Sequence, residues 1–144
     1  MLFMLGWCGE LGNHRDFFTV GVMGHASQIA LGLALVQPAR PAYCFDGDGV
    51  ALIHTESMEI IGQSSAKNLI YMVFNNGIHG CVSVQPTVGF NIDITQIAVA
   101  CCYATAQCVA TVDDLKNAID ALINGVSITI QETESIGCSV KWKV

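Results

Sequence analysis

Basic residues are scarce in this chain of 144 residues. Six lysines and arginines stand against twelve aspartates and glutamates, and the formal net charge is −6 at pH 7. With no basic cluster, the sequence offers no attractive surface to nucleic acid or to an anionic membrane. We therefore expect neither of these partners.

Spacings typical of zinc ligands are missing as well. The sequence contains no Cys-x-x-Cys or His-x-x-x-His pair, so a zinc site is not expected. The seven cysteines are odd in number, two of them (Cys101 and Cys102) are adjacent, and most lie in apolar runs. Free buried thiols are the better interpretation than disulfides, and they imply a reducing, cytoplasmic compartment.

A convincing membrane span or signal peptide is also lacking. The stretch 17–36 is apolar, but His25, Ser27, Gln28 and several glycines make it a poor span. Residues 1–8 are apolar without a basic n-region or a cleavage site, which suggests the start of a buried element or a non-native start. The length predicts one domain with a proper core.

Two apolar runs each end in a polar turn, and this pairing organises the chain. The run Ala42–Phe45 leads into Asp46-Gly47-Asp48-Gly49, and the run Leu69–Phe74 leads into Asn75-Asn76-Gly77. Both runs predict strands of a buried parallel sheet, in which carboxyl ends meet at one edge. We therefore expect the two turns to form one ligand site.

The residues of these turns suit a hard cation and a phosphorylated ligand. Asp48 and Asn76 offer side-chain oxygens and Ile78 a backbone carbonyl, a donor set that Mg²⁺ accepts. Gly47 and Gly49 allow a sharp turn and a close approach to a ligand. A helix beginning after Gly49 would direct free N–H groups at an anion. Taken alone, Asp-Gly is also a common hairpin signal, and Asp and Asn are common turn residues.

The spacing of the two turns, with the 25 residues from Val50 to Phe74 between them, resembles the thiamine diphosphate motif. Further segments in the same order resemble phosphonopyruvate decarboxylases, which are thiamine diphosphate-dependent enzymes, with sulfopyruvate decarboxylases as close relatives. These segments are Thr19 to Ala30, Lys67 to Ile70, Asn75 to His79 and Gln85 to Gly89.

The alternation of strand and helix patterns, together with this resemblance, predicts an α/β fold with a doubly wound, mainly parallel sheet flanked by helices. We place the thiamine diphosphate-binding domain at residues 16–132, after an unmatched lead-in at 1–15 and before a tail at 133–144. The predicted strands are 16–22, 42–46, 69–74, 107–110 and 126–130. The predicted helices are 26–36, 50–62, 92–103 and one capped by Thr111 with Asp114 that ends at Asn124. Residues 75–91 are predicted to be a functional loop.

The resemblance implies that the cofactors are thiamine diphosphate and Mg²⁺. The residues that would bind Mg²⁺ are Asp48, Asn76 and Ile78, the last through its carbonyl. The further residues that would contact thiamine diphosphate are Gly21, Met23, Gly24, Gly47 and Gly49. Met23 would support the thiazolium ring, and the Gly21 carbonyl would meet the aminopyrimidine.

Two histidines are candidate catalytic residues by the same resemblance. His25 would lie near the diphosphate, and His79 would contact the substrate or the departing carbon dioxide. Each could equally be a helix-start or loop residue without chemistry. His54 is given a structural role.

The implied reaction is decarboxylation of a small 2-keto acid, phosphonopyruvate to phosphonoacetaldehyde and CO2. The resemblance implies that the activating glutamate comes from an aminopyrimidine-binding domain or subunit. We therefore expect a β-type subunit or one half of a longer protein, active only in a homo- or hetero-oligomer. A non-catalytic module is the alternative, suggested by Gly80 and Ser83-Val84, where the family usually carries other residues.

Overall fold

The computed structural model describes residues 2–5, 16–19, 21, 23–80, 82–124 and 139–142. The strands are β1 (Leu2–Leu5), β2 (Asp16–Thr19), β3 (Ala42–Gly47), β4 (Leu69–Asn75), β5 (Ile78–His79), β6 (Gln85–Pro86), β7 (Gln107–Val109) and β8 (Ser139–Trp142). The helices are α1 (Ala26–Val36), α2 (Asp48–Ile53), α3 (Glu56–Gln63), α4 (Ile94–Ala100) and α5 (Val112–Asn124).

Among the described residues, six strands form one sheet in the order β2-β1-β3-β4-β8-β7. The pairs β1–β2, β1–β3 and β3–β4 are parallel, whereas β8 runs antiparallel to both β4 and β7. Strands β5 and β6 form a separate antiparallel hairpin. The predicted α/β fold with a mainly parallel sheet is confirmed.

The sheet is covered on both faces because side chains alternate along β3 and β4. Cys44, Leu69 and Tyr71 point to one face and belong to the cluster that contains the buried residues of α1 and α3. Ile70 and Met72 point to the other face and pack with residues of β7 and α5. Fully burying a side chain such as Leu69 contributes about 1.5–3 kcal/mol to the free energy of folding. The many buried side chains of the two clusters therefore hold the helices against both faces of the sheet.

Helix α1 has the bounds that its sequence predicts. Ala26, Ala30 and Ala34 lie on one face and are buried, which lets the helix lie close to the sheet. The predicted cap of α5 is also present, because the Asp114 backbone N donates to Thr111 Oγ1 at 3.1 Å.

The helix predicted at 50–62 is wrong in two respects. It begins earlier, at Asp48, and it is interrupted at His54 and Thr55, so that two helices, α2 and α3, take its place. The Thr55 hydroxyl donates to the Leu52 carbonyl at 3.0 Å, and His54 leaves the helical conformation with φ −124° and ψ 56°. This break turns the His54 ring toward the segment that precedes α1.

Other boundaries differ as well. The helix predicted at 92–103 spans only Ile94–Ala100, because the Asp93 side chain caps its start and Cys102 adopts a positive φ of 66° after its end. Strand β1 lies in the predicted lead-in and β8 in the predicted tail, and neither was predicted as a strand. The strand predicted at 126–130 lies outside the described residues. Within the described ranges, no helix combines the length and apolar character needed to cross a membrane.

Candidate functional site

Three segments predicted to bind the cofactor follow three strands that run in the same direction. Strands β2, β3 and β4 are mutually parallel through their pairing with β1 and with each other. Gly21 with residues 23–25 follows β2, Asp48-Gly49 follows β3, and residues 76–78 follow β4. These segments therefore share the carboxyl edge of the sheet, where open α/β sheets bind their ligands.

Asp48 is the buried carboxylate of this edge. Its side chain is fully buried. The Oδ1 atom accepts a hydrogen bond from the Asn76 backbone N at 3.3 Å, and Oδ2 accepts one from the Thr87 hydroxyl. Both donors are neutral, and among the described residues no lysine or arginine forms a salt bridge with Asp48. Buried carboxylates are normally paired with a cation or bind a metal, so Asp48 fits a cation site.

Asn76 and Ile78 lie beside Asp48 on the exposed side of the edge. Asn76 Oδ1 accepts a hydrogen bond from the Ile78 backbone N at 3.1 Å. An amide oxygen has two lone pairs, so this bond leaves one for a cation. Hydrogen bonds thus link Asp48, after β3, to Asn76 and Ile78, after β4, and these are the three residues predicted to bind Mg²⁺. No group of three or more His, Cys, Asp or Glu suited to a metal occurs in the described part of the chain. A cation bound to Asp48 would therefore need amide and carbonyl oxygens as its other protein ligands.

Asn75, to which the sequence analysis gave no role, organises the same turn. Its side chain is buried; Nδ2 donates to the Gly89 carbonyl at 2.6 Å, and Oδ1 accepts from the Gly77 backbone N at 3.2 Å. Gly77 has a positive φ of 70°, which favours glycine. The two asparagines therefore have different roles: Asn75 stabilises the turn, and Asn76 is exposed at the carboxyl edge of the sheet.

Thr87, which follows β6, connects the β5–β6 hairpin to the Asp48 carboxylate. Its backbone N donates to the Gly77 carbonyl at 2.8 Å, and its hydroxyl accepts from the Gly89 backbone N at 3.0 Å. Gly89 packs so closely that a Cβ there would lie 2.3 Å from Asp48 Oδ2. The sequence drew attention to the segment from Gln85 to Gly89, but nothing in its spacing pointed to Asp48 as the partner of Thr87.

The His79 ring lies against Gly49. A Cβ on Gly49 would lie 2.3 Å from His79 Nδ1, so this contact requires glycine. The structure therefore brings the candidate catalytic residue His79 to the turn predicted to contact the diphosphate. Gly47, by contrast, has open space around it.

The turn before α1 places His25 next to His54. His25 is exposed, its Nδ1 lies 3.3 Å from the carbonyl oxygen of the half-buried Met23, and its ring meets the His54 ring edge-on at a centroid distance of 4.6 Å. Gly21 and Gly24 have positive φ angles of 84° and 88°. A Cβ on Gly24 would lie 2.2 Å from the His54 ring, so His54 fills the space that this glycine leaves.

Glu56 fixes the other side of the His54 ring. His54 Nδ1 lies 2.7 Å from Glu56 Oε1. The hydrogen bond from His54 is the main cause that holds the pKa of the Glu56 carboxyl below its ordinary value. The structural role predicted for His54 thus takes a specific form, since it links the turn at His25 to the break between α2 and α3.

A second carboxyl group, that of Asp46, is buried near the end of β3. Its Oδ2 accepts hydrogen bonds from the Tyr71 hydroxyl at 3.0 Å and from Cys44 Sγ at 3.9 Å, and its buried Oδ1 has no partner among the described residues. Burial raises the pKa of Asp46 to about 7, although the bonds from Tyr71 and Cys44 act in the opposite direction. Burial also raises the pKa of the Cys44 thiol and of the Tyr71 hydroxyl.

A mainly parallel α/β domain with glycine turns and a buried carboxylate at its carboxyl edge belongs to the class of domains that bind phosphorylated ligands there. The family can be stated more closely. The chain belongs to the family described as thiamine pyrophosphate enzyme, C-terminal TPP binding domain, whose model matches residues 6–131. It is a thiamine diphosphate-binding domain, and the match includes all three turns of the carboxyl edge.

Similar proteins agree with the resemblance seen in the sequence. The phosphonopyruvate decarboxylase of Streptomyces viridochromogenes is 36% identical over 105 residues, which are 73% of this chain and 26% of that protein. The sulfopyruvate decarboxylase subunit beta of Methanocaldococcus jannaschii is 38% identical over 90 residues, 62% of this chain and 47% of the subunit. The sulfopyruvate decarboxylase of Methanosarcina acetivorans is 37% identical over 99 residues, 65% of this chain and 25% of that protein. The chain thus spans about a quarter of two relatives and about half of the third.

Proposed function

We propose that this chain is the diphosphate-binding domain of a decarboxylase that acts on a small 2-keto acid with thiamine diphosphate and Mg²⁺. The observation that carries the proposal is the Asp48 carboxylate, which is fully buried with neutral hydrogen-bond donors at the ligand edge of the sheet. A divalent cation would supply the positive charge that the described residues around Asp48 do not supply.

The proposed cation ligands are Asp48 and Asn76 through their side-chain oxygens and Ile78 through its carbonyl. Mg²⁺ prefers few protein oxygens and keeps its other positions for water and phosphate oxygens, which matches a set of three. The hydrogen bonds that already link these residues support the proposal, because they keep the donors near one another before a ligand arrives.

The remaining turn residues would hold the cofactor itself. The amides at Gly47 and Gly49 would contact its diphosphate, and Gly21, Met23 and Gly24 would contact its ring portion. When bound, thiamine diphosphate supplies an electron sink for the electrons that remain when the substrate carboxylate leaves as carbon dioxide. The protein supplies position and electrostatics.

His79 and His25 are the proposed residues for contact with the substrate and the diphosphate. His79 lies against Gly49, and His25 is exposed beside Met23, so both rings border the proposed cofactor site. An imidazole at such a site can donate a hydrogen bond to an anionic oxygen. The activating glutamate would come from an aminopyrimidine-binding domain or subunit, in a homo- or hetero-oligomer within the cytoplasm.

The proposed substrate is phosphonopyruvate, which would yield phosphonoacetaldehyde and carbon dioxide. Sulfopyruvate is the second candidate. This chain matches 47% of the length of the beta-subunit relative but only 26% of the length of the phosphonopyruvate decarboxylase. A domain that retains the fold but not the activity is the third.

Calorimetric titration of thiamine diphosphate into the chain, with Mg²⁺ and again with EDTA, tests the cofactor site. We expect binding that requires the metal and that Asp48→Asn abolishes, while Asp113→Asn, at the exposed start of α5, leaves it unchanged. Absence of metal-dependent binding, both alone and with an aminopyrimidine-binding domain from a relative, would show the proposal to be wrong. Carbon dioxide release by the reconstituted pair from phosphonopyruvate and from sulfopyruvate then separates the substrates, and release from neither favours the inactive domain.

A further inference from the structure

Thr87 stands at the meeting point of three parts of the site. Its hydroxyl donates to the Asp48 carboxylate after β3 and accepts from the Gly89 backbone N. Its own backbone N donates to the Gly77 carbonyl after β4 at 2.8 Å. One residue therefore ties the carboxylate, the start of the β5–β6 hairpin and the segment after the hairpin together.

These contacts treat the two oxygens of the Asp48 carboxylate differently. Oδ2 is occupied by the Thr87 hydroxyl, and Gly89 packs so tightly beside it that a Cβ there would approach to 2.3 Å. Among the described residues, Oδ1 accepts one hydrogen bond, from the Asn76 backbone N at 3.3 Å. A cation that approaches the carboxylate would therefore meet Oδ1.

We propose that Thr87 is a positioning residue that orients the Asp48 carboxylate for a cation and fastens the β5–β6 hairpin to the same carboxylate. Cation binding and hairpin docking are then coupled through Thr87 at the end of the hairpin, in addition to the proposed ligand Ile78 at the start of β5. The inference rests on the proposed function, because it assumes a cation at Asp48.

The coupling follows from reciprocity. A hydroxyl that holds the carboxylate in the orientation for binding favours the cation, and a cation that holds the same orientation favours the hydroxyl contact by the same factor. The hairpin carries His79, which lies against Gly49. Occupancy of the cation site would thereby steady the proposed catalytic histidine through a contact on its own hairpin.

The test compares Thr87→Val, which keeps the shape of the side chain without its hydroxyl, with Thr87→Ser, which keeps the hydroxyl. Thr111→Val is a matched control, since the Thr111 hydroxyl also donates to a carboxylate, that of Asp114 at 2.6 Å, at the start of α5. The first measurement is the dissociation constant of thiamine diphosphate with Mg²⁺. The second is hydrogen exchange of the Gly77 and Thr87 amides, whose acceptors are not the Thr87 hydroxyl.

We expect Thr87→Val to weaken cofactor binding about tenfold, which corresponds to about 1.4 kcal/mol. The added protection that Mg²⁺ with thiamine diphosphate gives the two amides should disappear in this variant. Thr87→Ser should restore both, and Thr111→Val should alter neither, because its contacts serve only the start of α5. A purely structural role for Thr87 would change stability without removing the ligand-dependent part of the protection.

The possible failures are distinguishable. If the wild type binds no thiamine diphosphate with Mg²⁺, either alone or with an aminopyrimidine-binding domain from a relative, the proposed function is wrong and this inference falls with it. If the wild type binds but Thr87→Val binds equally well and gains the same protection, the inference alone is wrong. Failure of Thr87→Ser to restore the coupling would also overturn it, because the hydroxyl would then not be the responsible group.

Discussion

Replacing Asp46 with asparagine should change how the stability of the domain depends on pH. The wild-type carboxyl is 2% exposed; one oxygen accepts hydrogen bonds from Tyr71 and Cys44, and the other has no partner in the part of the chain that the structure describes. Asparagine keeps the shape and an acceptor for the Tyr71 hydroxyl, but it cannot ionise. The variant therefore removes the titration and preserves the hydrogen bond.

The size and sign of the effect follow from the pKa. Burial raises the pKa of Asp46 from 3.8 to about 7, so between these values the folded protein keeps a proton that the unfolded chain has lost. The stabilisation from Asp46 is complete below the unfolded value and is lost as the pH rises through the folded value. From pH 4.5 to pH 8 the loss amounts to about 3 kcal/mol.

Urea unfolding of both chains at pH 4.5, 6 and 8, in EDTA so that no cation binds Asp48, measures this loss. The relevant quantity is the difference between the two unfolding free energies at each pH, because contributions that the two chains share cancel in it. We expect Asp46→Asn to gain on the wild type by about 3 kcal/mol across the range. Any penalty for the extra amide hydrogens is constant with pH and cancels.

A difference that stays within about 0.5 kcal/mol from pH 4.5 to pH 8 would refute this reasoning. It would mean that the Asp46 carboxyl ionises in the folded protein as readily as in the unfolded chain. A gain of the opposite sign would show that the hydrogen bonds from Tyr71 and Cys44 outweigh burial.

Three further pairs of substitutions can be compared by unfolding. Gly62→Ala would place a Cβ 1.6 Å from the Cys101 carbonyl oxygen and should cost at least about 2 kcal/mol, whereas Gly32→Ala in α1 meets nothing within 4 Å and should stabilise by about 0.5–1 kcal/mol; equal effects would contradict the close approach. Asn68→Ala removes an Nδ2 group whose two hydrogens are shared among the carbonyls of Ala34 in α1 and of Gln37 and Arg40 after it, and should cost about 1–3 kcal/mol, against about 0.3 kcal/mol for the exposed Gln63→Ala. Gly24→Ala and Gly21→Ala both strain a positive φ by about 1–2 kcal/mol, but only the former meets the His54 ring, so it should be the more destabilising; the reverse order would exclude that contact.

The sequence predicted correctly those helices and strands that are determined by residues close together in the chain. Alanines on one face and the prolines that follow were enough for α1, and continuous apolar runs placed β3 and β4 within one residue of their observed ends. Strand β8 was missed because its place between β4 and β7 depends on pairing with residues far away in the chain. The break between α2 and α3 was missed for the same reason, since His54 packs against Gly24 and His25.

The site shows the same division. Asp48, Asn76 and Ile78 were found because their motif has a fixed spacing, and the structure joins them by hydrogen bonds between the turns after β3 and β4, while their role as ligands stays a prediction. The hydrogen bond from Thr87 to Asp48 joins residues 39 positions apart, and that from Asn75 to Gly89 joins residues 14 positions apart. The periodicity of the sequence cannot predict such contacts, because they form only when the segment after the β5–β6 hairpin folds back onto Asp48 and Asn75.

The hydrogen bonds around Asp48 also bear on the order of events when a ligand arrives. Because Asn76 and Thr87 already hold this carboxylate, most of the conformational entropy of the turn is lost as the chain folds, and only the remainder is lost when the cofactor binds. Little rearrangement of the backbone then separates encounter from the bound state. The rate of association should accordingly be set by diffusion and by the loss of water from the cation, and it should change little when the loop sequence far from Thr87 is altered.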